Sequence, residues 1–234
     1  SFFDKNKKLR TNLTQEIRLS FGSTVLGIYS KSLQEIDNAT GWLFGGVATD
    51  GTSMFYFDAI AGYLQFESSI SPSLIMNANL RYEQNQYEYT GLYQGLDDNF
   101  EEFDLPQVLF VIEPSMLGYR FSLRYNFNRK TSFYGSLSEG YKSGGVNQQP
   151  YLSGDSRPYD PEFVNNVELG LKRYTDTYET QISVFYAKRK NQQVSVSSQQ
   201  IAGDPNSFLY YTGNAGSGTN QGLEWEHKQM ISPT

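Results

Sequence analysis

The chain has no cysteine and a single histidine in 234 residues. The first absence excludes a disulfide framework, a zinc ribbon and thiol chemistry. The second leaves His227 as the one histidine that a Ser-His-Asp triad or a histidine metal site could use. It follows Glu224-Trp225-Glu226 with no nucleophile elbow and no ligand-spaced partner. The chain is therefore read as a non-enzyme, with no catalytic residue, no metal ligand and no cofactor. Long apolar runs are missing too, since none approaches the ~18 residues of a membrane helix. That excludes a helical membrane protein but not a membrane β-barrel, whose strands need only every second residue apolar. Basic residues are outnumbered 19 to 25, and the net charge of −6 argues against nucleic-acid binding, which would call for a basic face. Gly213-Asn214-Ala215-Gly216-Ser217-Gly218 lacks the Lys-Ser/Thr of a P-loop, so it is not read as a phosphate cradle. No signal peptide opens the chain, and Ser1-Phe2-Phe3-Asp4-Lys5-Asn6 reads as the middle of a loop, so an excerpt of a longer protein is expected.

What is present is an alternation of connection lengths. Stretches with a two-residue apolar period are joined alternately by short turns and by long polar loops. Short turns fall near Gly22, Ser71-Pro72-Ser73, Arg129-Lys130-Thr131 and Thr175-Asp176-Thr177. Long loops are expected near 36–57, 88–115, 142–162 and 190–207. An outer-membrane β-barrel has this asymmetry, with short turns in the periplasm and long loops outside.

The strands themselves are two-faced. Leu74, Met76, Ala78, Leu80 and Tyr82 share one face, and Asn77, Asn79, Arg81 and Glu83 the other. Tyr119, Phe121, Leu123, Tyr125 and Phe127 alternate with Arg120, Ser122, Arg124, Asn126 and Asn128. Val167, Leu169 and Leu171 oppose Glu168 and Lys172, and Ile182 and Val184 continue the apolar face after the next turn. Further strands are expected over Leu13–Ser20, Val25–Leu33 and Phe208–Lys228. The total is roughly nine, mostly at or beyond the ~9–11 residues that cross a tilted barrel wall.

A soluble β-sandwich gives the same alternation with its apolar face inward. Two features favour the barrel. Tyr and Phe crowd the short-turn ends (Phe21, Tyr125, Phe127, Phe133, Tyr134, Tyr178), as an interfacial girdle would. The strands also exceed the ~5–6 residues usual in globular sheets. The fold class expected is all-β, an antiparallel transmembrane β-barrel fragment.

Four segments in order resemble the barrel of TonB-dependent outer-membrane receptors. Ser138-Glu139-Gly140-Tyr141-Lys142-Ser143-Gly144-Gly145-Val146-Asn147 is similar to the family's S-x-G-Y-K-S-G-G-F-N stretch, with Val146 where Phe is usual. Tyr159-Asp160-Pro161-Glu162 followed by Val167-Glu168-Leu169-Gly170-Leu171-Lys172 resembles its P-E … E-L-G-L-K strand. Thr14-Gln15-Glu16-Ile17-Arg18-Leu19-Ser20 resembles T-Q-E-I-R-L, and Asn214-Ala215-Gly216 with Gly222-Leu223-Glu224-Trp225-Glu226 resembles N-A-G … G-V-E-L-E. The resemblance implies a 22-stranded barrel filled by an N-terminal plug, importing a scarce ligand such as a ferric siderophore with energy from TonB. It implies the plug and, through it, TonB-ExbB-ExbD as partners, and outer-membrane lipid around the wall. Residues 1–234 would then be one part of a single barrel domain, with the plug outside the excerpt. A plug-free porin, a soluble β-sandwich binding module and an outer-membrane hydrolase are the rival readings.

On this reading Leu74, Met76, Leu80, Phe121, Leu123, Val167, Leu169, Leu171, Ile182 and Val184 face lipid. Arg81, Arg120, Arg124, Glu168 and Lys172 face the lumen, where they could touch ligand or plug. Arg suits carboxylate recognition through its bidentate fork. The acidic stretch Asp97, Asp98, Glu101, Glu102 and Asp104 is dense enough in oxygen to suggest Ca²⁺. It lacks the D-x-D-x-D-G spacing of a preorganised site, so a solvated external loop is the plainer reading.

Overall fold

The computed structural model describes residues 4–43, 46–97, 99–149, 151–152, 154–199, 202–203 and 208–231. Four long strands come first: β1 (Asp4–Phe21), β2 (Thr24–Leu43), β3 (Ala48–Ser71) and β4 (Leu74–Leu96). Two short ones follow, β5 (Glu102–Asp104) and β6 (Val108–Ile112). Then come β7 (Ser115–Asn126), β8 (Thr131–Lys142), β9 (Gly145–Val146), β10 (Pro158–Tyr159), β11 (Glu162–Tyr174) and β12 (Tyr178–Lys190). The last three are β13 (Gln193–Gln199), β14 (Phe208–Asn214) and β15 (Gly218–Gln229).

Nine of these form one continuous antiparallel wall in the order β1-β2-β3-β4-β7-β8-β11-β12-β15. This is an open stretch of barrel wall, as the sequence alternation implies. The four short turns, 22–23, 72–73, 127–130 and 175–177, lie at one end of it, because every wall strand is antiparallel to the next.

Register carries the two-faced pattern of single strands across the whole wall. Leu74, Tyr125, Phe133, Leu171, Ile182 and Trp225 occupy one row. Met76, Leu123, Gly135, Leu169, Val184 and Leu223 occupy the next. Ala78, Phe121, Leu137, Val167 and Tyr186 follow. Leu19, Leu26, Leu64, Leu80 and Tyr119 lie above them. We call this the outer face. Its apolar side chains stay open to the surroundings: Leu169 is 59% exposed and Leu223 68%. On β4 the band runs from Leu74 to Tyr82, nine residues, which is the length needed to cross a bilayer at a tilt of about 45°. On the inner face Asn77, Ser122, Ser136 and Glu168 share a row, and Ser183 and Asn85 are almost fully buried there.

The long connections differ from expectation. Most of 36–57 is strand, because β2 runs to Leu43 and β3 begins at Ala48. Residues 88–96 continue β4, and β5 and β6 pair with it. Residues 193–199 form a second hairpin with 208–214, so the single strand expected over Phe208–Lys228 is two, broken at 215–217. Above the apolar band the outer face of β2 holds Ser30, Ser32, Gln34 and Asn38 with Ile36 the one apolar residue among them, so its alternation fades and reads like a loop. Leu9, Leu13, Ile36, Met54 and Ile60 remain on the outer face, but the buried apolar residues of this region are on the inner face. There Leu43, Ala48, Tyr89, Tyr93, Val108 and Val146 form a small core, with Phe55 and Phe110 packed against it. Tyr87 joins through tilted ring contacts to Phe57 at 4.8 Å and Phe55 at 6.1 Å.

A charge placed on the two faces should therefore have unequal effects. In the lipid setting implied by the sequence, Leu123→Arg should cost about 2–4 kcal/mol near the midplane. Ser122→Arg, on the inner face, should be much milder. Urea unfolding of the full-length protein in phospholipid vesicles measures both, and equal losses would refute the facing.

Candidate functional site

Chemistry-bearing side chains gather on the inner face and in the connections opposite the short turns. On β1 and β2, Lys8 Nζ lies 2.9 Å from Glu35 and 3.5 Å from Asp37, and Arg10 donates from Nε to Glu35 at 2.6 Å. Further along, Arg18 donates to Tyr63 Oη and to Glu16, each at 3.0 Å, and Tyr63 Oη donates to Glu16 at 2.5 Å. These groups meet because even residues of β1 face odd residues of β2 and β3 in register.

Arg81 binds Glu83 through Nε at 3.0 Å and Nη2 at 2.5 Å, and its guanidinium lies 5.3 Å from the centre of the Tyr29 ring. Tyr141, beyond the end of β7–β8 pairing, accepts from Arg81 at 3.1 Å and donates to Glu83 at 3.2 Å. Its neighbour in the sequence motif, Ser143, accepts from Asn85 at 2.9 Å. The G-Y-K-S segment therefore ties β8 back to β4.

Glu168 accepts from Tyr134 Oη at 2.6 Å, and Lys172 Nζ stands 5.4 Å from the centre of that ring. Gly170 sits between them because the Tyr134 ring lies across it, where any Cβ would collide. Tyr134 thus belongs to the inner face and not to an interfacial girdle. Arg120 and Arg124 share this face but stand exposed, and neither forms an ion pair among the described residues. The five candidate residues lie on one face but do not converge on a single site.

The connections are stitched together. Tyr89 and Tyr93 hydroxyls lie 2.6 Å apart, and each donates to the carbonyl of Gln148, at 3.2 and 3.3 Å. Asn147 donates to the carbonyls of Ser156, Arg157 and Thr212 and accepts from the Thr212 amide at 2.8 Å. Arg157 is 6% exposed and donates to the Gln149 carbonyl at 2.8 Å, and burial lowers the pKa of its guanidinium below the ordinary arginine value. Glu162 binds Arg189 and accepts from the Gln193 amide at 2.7 Å. Asn214 donates to the carbonyls of Asp160 and Asn191. The motif residues Asn147, Glu162 and Asn214 are thus the fasteners between two successive connections. Their sequence signal was the motif itself; the partners 65 and 54 residues away were not legible.

The acidic stretch does not gather into a cation site. Asp97 spends its carboxylate on a turn, with Oδ1 accepting from the amides of Asn99 and Glu101, each at 2.8 Å. Glu102 and Asp104 sit on β5, and Asp104 accepts from Gln94 at 3.1 Å. Asp98 lies outside the described residues. Among the described residues no group of three or more acidic or histidine side chains could hold a metal ion. His227 lies at the short-turn end, 2.7 Å from Thr180 Oγ1 and between the rings of Tyr178 and Trp225.

The profile described as TonB dependent receptor-like, beta-barrel, matches residues 1–229. No curated protein sequence matches significantly. Among solved structures, the ferric yersiniabactin uptake receptor FyuA from Yersinia pestis superposes with a TM-score of 0.73 at 19% identity, over 98% of this chain and 34% of that one. The copper transporter OprC gives 0.63 at 12%, over 97% and 36%. The siderophore receptor PiuA from Acinetobacter baumannii gives 0.58 at 12%, over 98% and 36%. The chain thus spans about a third of the length of these structures, and at such identities the likeness carries the fold alone.

Two outcomes follow from the site. The Asp97 pKa is lowered by the amides of Glu101 and Asn99, so its folded value lies below its unfolded one. The turn should stay formed above the unfolded carboxylate value of about 4 and be lost as pH falls through the lower, folded value. Hydrogen-exchange protection of the Glu101 amide against pH reads this, and protection that did not fall as the carboxylate is protonated would contradict it. Asn147→Asp replaces three donated bonds by carbonyl–carboxylate repulsion, and each buried group left unpaired costs about 1–3 kcal/mol. Exchange should rise in 143–160 and 208–214 together, while the wall strands stay protected; loosening of one segment alone would refute the coupling.

Proposed function

Because the chain belongs to the TonB-dependent receptor-like β-barrel family, we propose that it forms wall, lumen lining and external loops of an outer-membrane receptor. That receptor takes up a scarce ligand, such as a ferric siderophore, across the bacterial outer membrane. Residues 1–234 are read as one part of a single barrel domain. Its partners would be outer-membrane lipid, its own N-terminal plug and, through the plug, TonB-ExbB-ExbD.

The single observation behind this reading is the outer face, where apolar rows continue in register across the wall with their side chains open. A soluble sheet would cover such a band against a second layer. Lipid is the solvent that leaves it exposed at no cost. The candidates Leu74, Met76, Leu80, Phe121, Leu123, Val167, Leu169, Leu171, Ile182 and Val184 all stand on it.

The ligand class draws support from PiuA, named a siderophore receptor, and from FyuA, named for ferric yersiniabactin uptake, while OprC is named a copper transporter. On the inner face, Arg81, Glu168 and Lys172 are engaged with neighbours and serve the wall. Arg120 and Arg124 are the inner-face candidates left open to meet carboxylates of ligand or plug.

Sidedness tests the proposal. An epitope tag inserted after Asp97 should label intact cells, and a tag at Asp176 should label only permeabilised ones. Shortening the 97–104 connection should impair ligand uptake more than barrel assembly, since loops carry binding determinants more often than walls. Exposure of the Asp176 tag on intact cells would overturn both topology and ligand access.

A further inference from the structure

The outer face changes character one row above its apolar band. Leu26 and Ile28 on β2 give way to Ser30 and Ser32, and Tyr82 on β4 gives way to Gln84 and Gln86. Register places Gln15, Ser30, Ile60 and Gln84 in one row, and Leu13, Ser32, Asp58 and Gln86 in the next. These two rows, with Glu113, line a groove of about 320 Å³. The two serines are the shortest side chains across it, which is why the surface dips there.

The groove's chemistry is specific. Among the described residues, the side chains of Ser30, Ser32, Asp58, Gln84 and Gln86 make no hydrogen bond within the protein. They offer hydroxyls, amides and a carboxylate to an outside partner, with Leu13 and Ile60, each 57% exposed, as apolar support. The outer-face side chains of the groove carry two carboxylates, Asp58 and Glu113, and no cation. Lys31 belongs to the inner face, its ammonium 5.3 Å from the centre of the Phe57 ring. A phosphate would meet repulsion here. A sugar would not, because its hydroxyls donate to carboxylate and amide oxygens, accept from amide and serine donors, and its C–H face rests on aliphatic carbon.

We propose that this groove holds the sugar headgroup of a glycolipid in the outer leaflet. The assignment rests on the membrane reading above, since it is the position just beyond the apolar band that puts a lipid headgroup at this height. The acyl chains would lie against Leu26, Leu64 and Leu80 below.

The test uses the full-length receptor taken from the outer-membrane fraction. It is reconstituted into phosphatidylcholine vesicles containing monoglucosyl-diacylglycerol, and retained lipid is counted by native mass spectrometry. The unmodified receptor should retain the glycolipid in preference to phosphatidylcholine. Ser30→Phe, which fills the groove, and Gln84→Leu, which removes an exposed amide, should each lower retention about fivefold, the equivalent of one net hydrogen bond of about 1 kcal/mol. Heat-modifiable migration checks that each barrel is intact, and Gln84→Leu carries the test if Ser30→Phe does not assemble. Equal retention by the receptor and an intact variant overturns the proposal. So does equal retention of phosphatidic acid, or equal competition by soluble glucosyl-glycerol. A receptor absent from the outer-membrane fraction would instead sink the membrane reading itself.

Discussion

On the membrane reading proposed above, the chain depends on one constraint: backbone amides and carbonyls within hydrocarbon have no water to bond, so each must find a partner in the sheet. The wall meets it with unbroken antiparallel pairing from β1 to β15, with bulges in the β2–β3 and β3–β4 pairs alone among the described pairs of wall strands. Register is then forced. A slip of one residue would turn Leu123, Leu169 and Val184 inward and bring Arg124, Glu168 and Ser183 out together. The alternation seen along single strands and the rows seen across nine of them are one requirement expressed in two directions.

The same constraint explains which parts of the fold were legible in the sequence. Within the apolar band one face must be greasy and the other wet, so Leu74 to Tyr82 and Tyr119 to Asn126 announce themselves. Beyond the band, both faces can be polar and still form strands. Residues 36–43 and 48–57 therefore looked like loop, although cross-strand pairing runs through β2 without interruption as far as Thr40. Their cue was aromatic, not alternating: Phe55, Phe57, Tyr87 and Tyr89 fall on one parity and build a core outside the band. A reading tuned to apolar-out, polar-in alternation misses strands whose apolar side points inward.

The inner face shows a comparable division. That Arg81, Glu168 and Lys172 share a face followed from parity. That Arg81 is tied to Glu83 and Tyr141, and Glu168 to Tyr134, depended on neighbours that only register reveals. The acidic stretch misled for a different reason. Composition alone put Asp97, Glu101, Glu102 and Asp104 together, but the Asp97 carboxylate caps its own turn and that of Asp104 accepts from Gln94. The motif residues Asn147, Glu162 and Asn214 proved to be fasteners of the connections opposite the short turns, so the features that mark the family also hold that end of the wall in shape.

The central claim is that the outer face of the wall meets lipid and the inner face meets water. Since these 234 residues hold no cysteine, single cysteines can be placed at each position from 119 to 126 and from 166 to 172 and spin-labelled. In membranes containing the full-length protein, collision with lipid-soluble oxygen should peak at 119, 121, 123 and 125 and at 167, 169 and 171. Collision with a water-soluble nickel chelate should peak at the residues between. Accessibility to the water-soluble reagent at both parities, or the opposite phase on the two strands, would contradict the account.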